Sequence, residues 1–196
     1  MRSRNRHAKL LLLFALALCA GGCARAEMSE AEKEIILRAQ DIAPYGFEFG
    51  DASRHETFSK TVYFDRSYEL EYEFQTPENS GLDPLYLNVS VSFEPSVRDA
   101  RMTQGATKLG LSAGTYFERM KMEEKQGFFK YGDESAYYLL LSKSGAPGGS
   151  YFVTREGSKV YSLIVAGAVF DDPQAWAELV LPKLQKFSAH GQNNRR

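Results

Sequence analysis

Two hydrophobic rhythms run along this chain in turn. Tyr68, Leu70, Tyr72 and Phe74 alternate with Glu69, Glu71 and Glu73, which predicts a strand with one buried and one wet face. Thr61–Phe64 lies ahead of it and forms a hairpin about Asp65-Arg66-Ser67. Leu85, Leu87, Val89, Val91 and Phe93 alternate with Tyr86, Asn88, Ser90 and Ser92 as the next strand, after a Pro/Gly/Asn-bearing loop at Thr76–Asp83. Three more strands follow later: Ala136–Ser142, Tyr151–Arg155 and Lys159–Gly167, with turns at Gly145–Gly149 and Glu156-Gly157-Ser158. Val160–Ala166 is almost continuously apolar, so both faces of that strand are expected to be covered.

Helical spacing fills the rest. Ser29 with Glu32 reads as a capping box; Ala31, Ile35, Ala39 and Ile42 then share one face with Ile36 beside them, up to a stop before Pro44. Ser96 with Asp99 caps a helix to about Leu109, which Gly110 and Gly114 end. Thr115–Glu124 reads as a second short helix. Asp172 and Pro173 start a last helix whose apolar face is Trp176, Leu179, Val180, Leu184 and Phe187. Pro182 inside it predicts a kink, and residues 188–196 read as a frayed tail. The order of three strands and a helix, twice over, predicts an α+β fold. It is an antiparallel β-sheet of about six strands in two three-strand blocks, flanked by helices in an α/β/α sandwich. Residues 29–187 form that single domain.

The first 22 residues follow neither rhythm. Arg2, Arg4, Arg6 and Lys9 precede an uninterrupted apolar run, Leu10–Ala20. Eleven residues rising 1.5 Å each do not span a ~30 Å hydrocarbon core, but they suit the apolar region of a signal peptide. Ala20-Gly21-Gly22-Cys23 then resembles the lipobox of bacterial lipoproteins, with Ala20 where that pattern commonly has Leu. The resemblance implies cleavage before Cys23, acylation of Cys23, and a membrane partner held through the acyl chains. Ala24 in place of an inner-membrane-retaining Asp implies the outer membrane over the inner. Residues 23–28 then form a tether. Ala24-Arg25-Ala26 offers a rival cut before Glu27, which would release a soluble periplasmic or secreted body.

Charge and cysteine narrow the possibilities. Without residues 1–22 the chain has 20 Lys and Arg against 25 Asp and Glu, a net charge of −5. This argues against a nucleic-acid binder, which carries a basic face. Cys19 and Cys23 are the only cysteines, so no disulfide framework or thiolate metal site is available to the body.

A longer resemblance covers about 55 residues of the second half. Gly132-Asp133-Glu134-Ser135, the strand at Tyr137-Tyr138, the hairpin Tyr151–Gly157 with Arg155-Glu156-Gly157, and Val160–Gly167 are similar to PsbP-like and DcrB-like envelope proteins. That similarity implies an antiparallel sheet between helices. It implies little about activity, since the fold serves unrelated roles.

Candidate chemistry is sparse. Gly110-Leu111-Ser112-Ala113-Gly114 matches the G-x-S-x-G pattern, whose serine must stand on a strand-to-helix elbow; no strand precedes it, and the only downstream histidine is His190. His55-Glu56 lacks the second histidine of a zinc motif. Glu69, Glu71 and Glu73 supply three carboxylates where calcium wants six to eight oxygens, so a solvated strand face is expected. No cofactor is indicated. Phe128, Phe129 and Tyr131, among Gly127, Gly132, Lys125 and Lys130, either plug the end of the sheet or rim a groove that binds an envelope partner. In an extended segment Phe128 and Phe129 would point to opposite sides. The expected role is a non-catalytic binding or assembly-support lipoprotein. The alternatives are a purely structural envelope component or a hydrolase using Ser112.

Overall fold

A computed structural model describes residues 23–48, 55–77, 84–117 and 120–190. The expected signal segment, residues 1–22, and the expected loop and tail positions 78–83 and 191–196 lie outside the described residues.

Among the described residues eight antiparallel strands form one sheet in the order β1-β2-β3-β4-β8-β7-β6-β5. They are β1 (Ala24–Ala26), β2 (Glu56–Val62), β3 (Tyr68–Gln75), β4 (Tyr86–Phe93), β5 (Lys121–Glu124), β6 (Glu134–Leu141), β7 (Pro147–Glu156) and β8 (Lys159–Ala166). The fold is therefore α+β, with eight strands instead of six. Each meander gains one outer edge strand, β1 on β2 and β5 on β6. Neither announces itself. Ala-Arg-Ala is too short to alternate, and Lys-Met-Glu-Glu has the charged character of an edge that must resist further pairing. The predicted short helix at Thr115–Glu124 is thus corrected: residues 115–117 end the preceding helix and Lys121–Glu124 is strand.

Among the described residues the helices are α1 (Glu30–Ile35), α2 (Ala39–Ile42), α3 (Val97–Phe117) and α4 (Pro173–Ala189), with a 3₁₀ turn at Ala43–Tyr45. One face of the sheet carries the main core. Leu70, Tyr72 and Phe74 of β3, Leu87, Val89 and Val91 of β4, and Tyr161, Leu163 and Val165 of β8 pack there against Ile35, Ile36, Leu37, Trp176, Leu184 and Phe187. The opposite face holds a smaller cluster, Ala136, Leu140, Tyr151, Val153 and Val160, beneath Ala100 of α3. This explains the apolar run of β8, buried on both sides. Over β2, β3 and the neighbouring face of β4, that second face carries Thr, Ser, Asn and Glu instead.

Several expectations change for physical reasons. The N-terminal helix is two short helices, because Ile36, Leu37 and Ile35 are all buried and a helix cannot turn three successive side chains to one core. The break satisfies its backbone on sheet tyrosines. Tyr161 Oη accepts from Leu37 N–H at 3.2 Å and donates to the Ile35 carbonyl at 3.4 Å. Tyr72 Oη accepts from Ala39 N–H at 3.0 Å and donates to Glu56 at 3.2 Å. Helix α3 runs on through Gly110 and Gly114 to Phe117, past the expected end near Leu109. Strand β2 starts five residues early, because its inward-facing charges are paired: Lys60 with Glu32 at 2.6 Å and Glu56 with Arg38 at 2.8 Å. The turn before β7 is Ser142–Ala146, closed by Ser142 N–H on the Ala146 carbonyl at 2.8 Å. Helix α4 continues through Pro182, with Leu184 and Phe187 beyond it fully buried. Nor do residues 188–190 fray: Lys159 Nζ donates to the carbonyls of Phe187 at 2.9 Å and Ser188 at 2.7 Å, at the helix end where a cation is favoured.

The expected tether is part of the fold. Ala24, Arg25 and Ala26 pair with Val62, Thr61 and Lys60. Met28 is in the core, and Ser29 caps α1 with a complete capping box.

Candidate functional site

Cys23 stands immediately before β1, partly exposed. The β1–β2 register runs towards the β2–β3 turn, so one further residue brings Cys23 beside Tyr63. The next residue, Phe64, is 82% exposed. Strand alternation continued from Phe58, Lys60 and Val62 would have aimed Phe64 at the core, but β2 ends at Val62 and the turn throws it outward. An aromatic residue directly before Asp65-Arg66-Ser67 was the one sequence signal for this exposure.

Phe128, Phe129 and Tyr131 all pack partly buried against the main core. Phe128 stacks on Tyr137 at 4.0 Å between centroids, and Phe129 meets Phe152 edge-on at 5.5 Å. Tyr131 Oη donates to the Leu184 carbonyl at 2.7 Å and lies 2.5 Å from Ser188 Oγ. The two phenylalanines therefore do not point to opposite sides. The segment is turned, with Phe128 N–H on the Lys125 carbonyl at 3.2 Å and Gly127 at φ +74°, so strand alternation does not apply to it.

The two motifs behind the second-half resemblance meet in one clasp. Asp133 accepts from the Arg155 guanidinium and from Gly157 N–H, both at 2.8 Å. These donors, Gly157 first, hold its carboxyl below the usual range. Gly132 sits at φ +69°, and a Cβ there would lie 2.5 Å from the Arg155 carbonyl oxygen. Asp133 N–H donates to that same carbonyl at 2.8 Å. These motif residues hold the approach to β6 against the β7–β8 turn.

On the open face Glu69, Glu71 and Glu73 oppose Ser92, Ser90 and Asn88 of β4 and Thr61, Ser59 and Thr57 of β2. Ser90 Oγ donates to Glu69 at 2.5 Å, and Asn88 Nδ2 to Glu71 at 3.3 Å. Burial, reinforced by the Glu71 charge, raises the Glu69 carboxyl above its usual range despite the Ser90 hydrogen bond. Among the described residues no group of three or more His, Cys, Asp or Glu is arranged to hold a metal ion.

Ser112 lies on the exposed side of α3, with helical backbone before and after it. The elbow that would strain and present a nucleophile is not formed there. His55 is exposed. His190 is packed: its Nε2 lies 3.1 Å from Tyr68 Oη, and its ring lies 5.1 Å from that of Phe93. Burial lowers its pKa, and the charges of Lys159 and Lys60 lower it further against Glu32. Among the described residues no helix is long and apolar enough to cross a membrane. No family model matches this chain, and neither a curated protein nor a solved structure matches it.

Proposed function

We propose that this chain is a bacterial envelope lipoprotein, acylated on Cys23, whose body is a non-catalytic binding or assembly-support module facing the periplasm. The reading places it on the outer membrane, on the sequence feature at Ala24. The observation that carries it is the junction at Cys23. Small residues and a cysteine end the signal-like apolar run directly, and the next three residues, Ala24–Ala26, already pair with β2. The rival cut before Glu27 would strip that strand from the sheet edge, leaving β2 unpaired on its outer side. We also propose that the body is an α/β/α sandwich of the PsbP-like kind. The joining of Gly132-Asp133 with Arg155 and Gly157 supports this, because it gives both halves of the shared motif one structural purpose.

Mass spectrometry of the mature N-terminus from a membrane fraction tests the anchor. A diacylated or triacylated Cys23 is expected; a free Glu27 overturns it. Labelling of Ser112 by a fluorophosphonate would instead establish the hydrolase alternative.

A further inference from the structure

The β2–β3 turn is built to hold Phe64 away from the body. Tyr63 N–H donates to the Ser67 carbonyl at 2.9 Å, and Arg66 N–H donates to the Tyr63 carbonyl at 3.0 Å. The Asp65 carboxylate folds back to accept from Ser67 N–H at 2.9 Å and Ser67 Oγ at 2.6 Å. Arg66 takes φ +68°, the one positive φ at a non-glycine among the described residues, in a conformation glycine adopts more easily. The turn thus keeps an aromatic ring and a cation where small polar residues would serve the backbone better. Phe64 is the most exposed of the large hydrophobic residues described.

This tip adjoins the anchor. Ala24 is paired with Val62, so the register sets Cys23 beside Tyr63. Pairing of residues 24–26 and burial of Met28 remove the slack that a free tether would have given. Arg25 and Arg66 are both exposed at this end of a body that carries net negative charge.

Resting on the acylated Cys23 proposed above, we infer that the β2–β3 tip is a second membrane contact. Phe64 enters the bilayer interface beside the acyl chains, and Arg25 and Arg66 lie against lipid phosphates. Aromatic side chains suit the headgroup level, and arginines near an anionic surface are attracted to it. An anchor one residue from the tip holds it at high effective concentration, so a weak contact suffices. Two contacts fix the orientation of the sheet, with the β1 edge towards lipid, where one flexible stalk would let the body pivot.

The test uses the processed full chain carrying Phe64→Trp in vesicles of phosphatidylethanolamine and phosphatidylglycerol. Phe64 is exposed, so the substitution leaves packing intact, and the fully buried Trp176 gives the background measured in the parent protein. The emission of the added indole should shift to the blue and be quenched by acyl-brominated lipids. Water-like emission from a protein that floats with vesicles and carries acylated Cys23 overturns the contact but not the anchor. A blue shift without bromolipid quenching means protein covers the tip, and also overturns the contact. A mature chain beginning at Glu27 overturns anchor and contact together.

Discussion

Tyr161 brings one hydroxyl from β8 to the point where the N-terminal helix breaks. It satisfies Leu37 N–H and the Ile35 carbonyl in a fully buried setting. Tyr161→Phe keeps the ring and strands that N–H, so it should lower stability by about 1–3 kcal/mol. Urea unfolding reads this as a lower midpoint at unchanged slope; an unshifted midpoint would mean the break does not depend on the hydroxyl. Phe128 and Phe129 make a second case. Both rings contact the main core from a turned segment, so truncation of either to Ala should cost a similar amount. Because each is only partly buried, that cost is on the order of 2 kcal/mol, below the 3–5 typical of a fully buried ring. Near-neutral behaviour of one with loss in the other would restore the extended segment and its groove. The residue types were legible as aromatic and core-like in the sequence. Their direction was not, because Gly127 and the Lys125 turn replace alternation with a local bend.

Among the elements, α3 departs most from its sequence. Gly110 and Gly114 read as ending a helix, yet it runs on from Val97 through Gly105 to Phe117, with Ala100 and Leu111 set against the smaller cluster. Packing on the sheet offsets the entropic penalty of glycine. A Cβ at Gly105 or Gly110 meets nothing within 4 Å. Gly105→Ala and Gly110→Ala should therefore each raise stability by about 0.5–1 kcal/mol. Thermal unfolding measures this, and a lower melting temperature would mean the helix is not continuous in solution. Edge strands β1 and β5 share the opposite lesson. They exist because a neighbour offers unpaired backbone groups, and three or four residues leave no periodicity to read in advance.

For the whole molecule, buried tyrosines link stability to pH. Burial raises Tyr137 and Tyr68 from 10.0 to about 12, and pushes Tyr72 and Tyr161 up as well. Above pH 10 the unfolded chain loses phenolic protons that the folded chain retains. Unfolding is then favoured as pH rises. Their contribution should be complete below pH 10 and disappear as pH climbs through about 12, visible as a falling urea midpoint over that window. A flat midpoint there would show that the hydroxyls are not buried as described. At this scale the sequence by itself determined the long strands β3, β4, β6 and β8, the cap of α4, and an antiparallel sheet with helices packed on it. Those features are written in local periodicity and capping chemistry, which need no distant partner. Only the tertiary structure decided where the N-terminal helix breaks, that β1 absorbs the tether, that Asp133 closes on Arg155 and Gly157, and that the register sets Cys23 beside Tyr63, one residue from Phe64. Each of these joins residues far apart in the chain or depends on a neighbouring strand's free edge, and no window of sequence contains both partners.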